Sequence, residues 1–91
     1  MRSTTPPAPG LLKRFLRENG LTQAAFARAV DVSDPTASDW ISGAKAPRFE
    51  HRAVIARWTN GAVPIESWES PSVLRRIAAV APYAPPVPAA A

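Results

Sequence analysis

Between positions 22 and 48 the side chains that can form directional hydrogen bonds or pair with anions fall at helical intervals. Pro35, Ser38, Asp39 and Ser42 project to one side of a helix at about 100° per residue, with Thr36 on the flank of that side and Asp34 in the first turn. All are short. Hydroxyls donate and accept, and carboxylates only accept. A helix that merely solvates a fold carries Lys and Glu outward, whereas small residues let it sit deep in a groove and bring such groups to base edges. Gln23 adds an amide, and Lys45 and Arg48 follow in the next loop, where phosphate oxygens flank a groove occupied by the preceding helix. The chemistry open to this set is recognition of duplex DNA, in which no covalent bond is made or broken.

Catalytic and metal sets are missing from the sequence. It holds no Gly-rich phosphate loop, no Ser/His/Asp arrangement and no Cys/His cluster, and Asp34 and Asp39, five residues apart, do not share a helix face. His51 stands alone as the single histidine, without a second ligand type at metal spacing, and reads as a surface residue. No enzyme activity, metal or cofactor is expected.

Two short amphipathic helices must position these groups. Thr22 has the hydroxyl of an N-cap, Phe26, Ala27 and Val30 form one apolar stripe, and Asp31 tolerates the left-handed backbone that closes a helix over about 22–30. The second helix starts at Ser33, another N-cap. Asp34 suits the positive end of its dipole, and Pro35 is tolerated where first-turn N–H groups lack partners. Ala37, Trp40 and Ile41 cluster on its apolar side, and Gly43 is a C′ stop.

Leu21, Thr22, Gln23, Phe26, Ala27, Val32, Ser33, Thr36, Ser38, Trp40 and Gly43, continued by Lys45, Pro47, Arg48 and the stretch TNGAVPIESW at 59–68, resemble the helix-turn-helix family of the phage Cro and repressor (XRE-like) type. The resemblance covers roughly residues 11–69. It implies a lambda-repressor-like fold in which residues 22–42 form the helix-turn-helix and residues 34–42 read the major groove. It also implies the role of a small repressor, acting as a dimer on a palindrome. Two positions depart from the family's pattern. Asp31 stands where a turn glycine is usual, and Asp34 and Pro35 stand where amide or basic side chains often meet bases.

Length and charge bound the rest. Ninety-one residues with Pro- and Ala-rich ends leave about 60 to 70 residues for an ordered core, near the lower limit for self-sufficiency, so dimerisation would help. The net charge is +4, but residues 11–69 hold eight Lys or Arg against seven Asp or Glu, a balance of only +1, and the excess comes from Arg2, Arg75 and Arg76. Affinity for DNA must then come from a few placed cations and backbone N–H groups, not from a broad basic field. Without cysteine there is no disulfide scaffold, and without a secretory apolar segment or a membrane-length apolar run the expected location is the cytoplasm.

The chain divides into a flexible arm over 1–10, in which Arg2 could follow a phosphate or a minor groove, the helix-turn-helix domain over 11–69, a C-terminal helix over 70–81 and a disordered Pro/Ala-rich tail over 82–91. Within the domain the first helix is LLKRFLREN at 11–19, with Leu12, Phe15 and Leu16 inward, Lys13, Arg14 and Arg17 outward and Gly20 closing it. FEHRAVIARWT at 49–59 gives a fourth helix stopped by Asn60 and Gly61, and AVPIESWE a short fifth with Pro64 near its start. Trp40, Trp58 and Trp68 each sit on an apolar stripe and read as core rather than as a stacking platform. In the sixth helix, capped by Ser70 with Pro71 first, Val73, Leu74, Ile77 and Ala81 form a stripe that needs a cover. The predicted fold is an all-α bundle of five to six helices, binding double-stranded DNA as a homodimer and no membrane. The alternative is an antitoxin-like or other protein-binding module in which residues 70–91 hold a partner protein.

Overall fold

A computed structural model describes residues 5–87. It contains five α-helices: α1 (Ala8–Glu18), α2 (Gln23–Ala29), α3 (Asp34–Ser42), α4 (Phe49–Trp58) and α5 (Pro71–Ala79). A 3-10 turn at Ile65–Trp68 stands between α4 and α5, and the described residues contain no strand. The expected fifth helix is therefore this single 3-10 turn. Pro64 stays extended before it, and the Ser67 hydroxyl donates back to the Pro64 carbonyl, which closes the turn at once.

Helix starts follow local chemistry. Thr22 accepts from the N–H of Ala25, Ser33 from that of Thr36 and Ser70 from that of Val73, so α2, α3 and α5 each have a hydroxyl cap on a first-turn donor. Helix ends are as regular. After α1, α2 and α4 the chain turns through a left-handed residue, Gly20 (φ 62°), Asp31 (φ 58°) and Asn60 (φ 53°) respectively. The next N–H then reaches back: Leu21 to Leu16 O at 2.8 Å, Val32 to Ala27 O at 2.9 Å and Gly61 to Ala56 O at 2.8 Å. These are Schellman closures. Asp31 thus adopts the backbone a turn glycine would, and the departure at this position leaves the turn intact.

α1 begins earlier than the apolar periodicity suggests. Residues 8–10, placed in the arm by sequence, form its first turn, with Pro7 as N-cap and Ala8 and Pro9 buried. Proline is compatible with a first turn because no N–H is needed there, so a proline cluster is not by itself an arm. Arg2 and the rest of 1–4 lie outside the described residues, as does 88–91 of the tail.

The core is built where α1, α2, α3, α4 and the 3-10 turn meet: Leu12 and Leu16, Phe26, Ala27 and Val30, Ala37 and Trp40, Ile55, Val63 and Trp68. Phe26 is at its centre, fully buried, its ring 6.4 Å from that of Trp40 and 5.7 Å from that of Trp58. Trp58 also meets Phe15 edge-on at 5.3 Å. All three tryptophans pack inward, Trp40 and Trp68 buried and Trp58 half-buried, which leaves no indole platform for bases. Thr59 is buried as well. Its hydroxyl donates to Ile55 O at 2.8 Å and accepts from Val63 N at 3.2 Å, tying the end of α4 to the chain that returns across the core. The outward cations of α1 face solvent, with Arg14 paired to Glu18 at 3.3 Å.

α5 differs from the other helices in having no buried residue. Val73 and Leu74 are half-buried and Ile77 is 47% exposed. The helix stops at Ala79, and Val80 is extended (ψ 120°), so Ala81 does not extend the stripe. Ala81 itself precedes Pro82, and the residue before a proline is disfavoured in helical geometry, so the helix could not have run through it. Residues 81–87 are exposed and have no helix or strand.

Candidate nucleic-acid interface

α2 and α3 are joined by residues 30–33, and their relative placement is fixed on two sides. On the inside, Phe26, Val30, Ala37 and Trp40 share the core. On the outside, Gln23 at the start of α2 donates from Nε2 to the Asp34 carbonyl in the first turn of α3, at 3.2 Å. Gln23, expected to contact DNA, is exposed and also acts as a strut between the two helices.

With Ala37 and Trp40 turned inward, α3 presents Asp34, Pro35, Ser38 and Ser42 to solvent. Thr36 and Asp39 are half-buried on the same helix. Several of these groups already have partners. Ser33 Oγ donates to Thr36 Oγ1 at 2.9 Å, so the Thr36 hydroxyl acts there as acceptor. Ser42 Oγ donates to Asp39 O at 3.2 Å and accepts from Ala44 N at 3.3 Å, so its hydroxyl serves the helix end. Asp39 Oδ2 lies 3.7 Å from Lys45 Nζ, and the Lys45 N–H donates to the Asp39 carbonyl at 3.2 Å. This ion pair joins two residues that the sequence separates into a base reader and a phosphate contact. A carboxylate facing a polyanion is costly, and an adjacent ammonium offsets that cost.

Gly43 ends α3 with φ 84°, and a Cβ there would lie 3.5 Å from Pro9 Cγ, so the extra first turn of α1 borders the end of the surface helix. The loop from 43 to 48 then crosses to α4. Arg48 is the N-cap of α4 but offers no side-chain acceptor to its first N–H groups. Its guanidinium is exposed and takes no part in the ion pairs of the described residues. Lys45 thus lies beside Asp39 on α3, and Arg48 stands exposed at the start of α4.

Residues 12–57 match a family model described as helix-turn-helix. The chain belongs to the helix-turn-helix family of the Cro and repressor type. Comparisons with curated proteins and with solved structures gave no match. The helix-turn-helix family accounts for the pairing of α2 with α3, and the protein is a DNA-binding transcription regulator of this type. Among the described residues no group of three or more His, Cys, Asp or Glu could hold a metal, and no helix is long and apolar enough to cross a membrane.

Two residues near the helix-turn-helix were assigned too little by sequence. His51 is not a plain surface residue. It is half-buried, with its ring 5.3 Å from that of Trp40, and so backs the surface helix from α4. Arg52, one of the charged residues set among the apolar ones of FEHRAVIARWT, donates from Nε to Pro47 O at 2.8 Å and from Nη1 to Glu69 Oε1 at 2.9 Å. No local signal marks the Arg52 pair, because its carboxylate lies 17 residues away.

Proposed function

We propose that the protein is a small repressor that binds duplex DNA as a homodimer, with α3 in the major groove. The observation that carries this reading is the outward face of α3, where Asp34, Pro35, Ser38 and Ser42 are exposed and none has a long side chain. Asp39 accepts from a cytosine N4 amino group, Thr36 and Ser38 donate or accept at base edges, and Gln23, Lys45 and Arg48 contact phosphate. Repression follows from occupancy, since a chain with no sensor domain in its described residues can block a promoter simply by sitting on it. The dimer is supported by α5, which buries nothing of its own while exposing Ile77 and Val80. Two-fold symmetry places half-sites roughly 34 Å apart, about one helical turn, or a multiple of it.

Sedimentation of the chain with a duplex it binds, combined with footprinting, tests this. Two protomers covering two half-sites are expected. A monomer at saturating concentration with a single protected half-site would refute the dimer. The same exposed α5 face favours a second reading, an antitoxin-like module whose residues 70–91 hold a partner protein. A chain that is stable and binds DNA when produced alone speaks for the homodimer, and one that is degraded until a partner is supplied speaks for the second reading.

A further inference from the structure

Residues 43–48 carry the two cations assigned above to phosphate but contain no helix or strand, so their position has to be set by bonds at the two ends of the segment. At the first end, the Lys45 and Ala44 N–H groups bond back to Asp39 O and Ser42 Oγ. At the second, Pro47 is buried and its carbonyl accepts from Arg52 Nε at 2.8 Å. The Arg52 N–H also bonds Arg48 O at 2.9 Å, the bond that starts α4. The guanidinium does not end there. Its Nη1 meets Glu69 Oε1 at 2.9 Å, and the Arg52 side chain is only 20% exposed. A planar fork delivers two hydrogen bonds in fixed directions, which an ammonium on a flexible stem does not. Glu69 closes the 3-10 turn immediately before Ser70, the cap of α5.

We propose that Arg52, held by Glu69, is a positioning residue for DNA binding: it fixes the Pro47 carbonyl and thereby aims Arg48 at phosphate. The proposal rests on the DNA-reading assignment of the preceding subsection. Arg52 itself touches no DNA. It acts through the loop, and its partner Glu69 ties the loop to the segment that leads into α5.

The test measures fluorescence anisotropy of a labelled duplex, one selected by the wild-type chain from a random pool and one unrelated, at several salt concentrations. Wild type, Arg52→Lys, Glu69→Gln, Arg48→Ala and the two double variants with Arg48→Ala are compared. Arg52→Lys should weaken binding to both duplexes alike by about tenfold, the lower end of what a hydrogen bond to a charged group is worth. It should also flatten the salt dependence as Arg48→Ala does. In the Arg48→Ala background the loss should vanish, because a positioning effect has nothing left to position. Glu69→Gln should show a smaller loss with the same non-additivity, and it carries the test if Arg52→Lys fails to fold. Unchanged affinity in both single variants, or the same loss in both backgrounds with an unchanged salt slope, would overturn the proposal and leave Arg52 as a stabiliser of the fold. A wild-type chain that selects no duplex would sink the DNA-reading assignment itself.

Discussion

Replacing Asp39 separates its ion pair in the fold from the base reading proposed for it, because the two have different sizes. Its carboxylate is 38% exposed and pairs with a Lys45 that is 76% exposed, at 3.7 Å. Exposed pairs of this kind contribute about 0–1 kcal/mol, so Asp39→Ala should shift unfolding by no more than that. The base contact is worth more: losing a carboxylate acceptor for cytosine N4 should relax preference at one position per half-site by about 1–3 kcal/mol. Asp39→Asn keeps the shape but exchanges part of the acceptor for a donor and frees Lys45. It should shift the preferred base at that position rather than merely relax it. The assay is equilibrium binding of each variant to single-base changes of a bound duplex, alongside urea unfolding. If Asp39→Ala leaves base preference untouched, or strengthens binding to every duplex equally, the carboxylate is only a solvated or repulsive charge. The reading role would then pass to Thr36 and Ser38.

Arg48→Ala should weaken binding to all sequences alike and lower the magnitude of the log K against log[salt] slope by about 0.9 per lost contact per subunit, measured by salt titration. Ile77→Asp places a charge on the exposed stripe of α5 and should convert dimer to monomer in sedimentation without changing the helix content seen by circular dichroism. Gly43→Ala meets only ordinary contact with Pro9, so its cost is the left-handed backbone alone, about 1–2 kcal/mol in urea unfolding. Phe26→Ala empties the centre of the core beside Trp40 and Trp58 and should cost about 3–5 kcal/mol in urea unfolding, a large share of the roughly 5–15 kcal/mol that holds a domain folded.

What could be read from the sequence was local. Thr22, Ser33 and Ser70 cap their helices as expected because an N-cap bond spans three residues, and Gly43 turns left-handed because it has no Cβ while Asp31 does so because its short polar side chain tolerates that backbone. The apolar stripes of α1 to α3 pointed to the core for the same reason, whereas in α4 Ile55 is buried but Val54, on the same apolar run, is 44% exposed. What was not readable depends on residues distant in the chain. The start of α1 was hidden by the prolines at 7 and 9, and it is the burial of Ala8 and Pro9 against the rest of the fold that decides between arm and helix. The pairs Asp39 with Lys45 and Arg52 with Glu69, and the tilted ring contact of His51 with Trp40, join different elements, and periodicity carries no information about such partners. At the interface, Asp39 and Ser42, which the helical wheel marks as outward, and Thr36, which it puts on the flank, already hold intrachain bonds that periodicity does not show.

The central claim is that α3 reads duplex DNA in two symmetry-related copies, and selection of bound sequences from a random duplex pool tests it most directly. The expected outcome is an enriched palindrome whose half-site centres lie about 10–10.5 base pairs apart, or a multiple of that, with at least one G·C pair whose enrichment is lost when the selection is repeated with Asp39→Ala. A pool that emerges with no enriched sequence, or with a single half-site lacking symmetry, would contradict it.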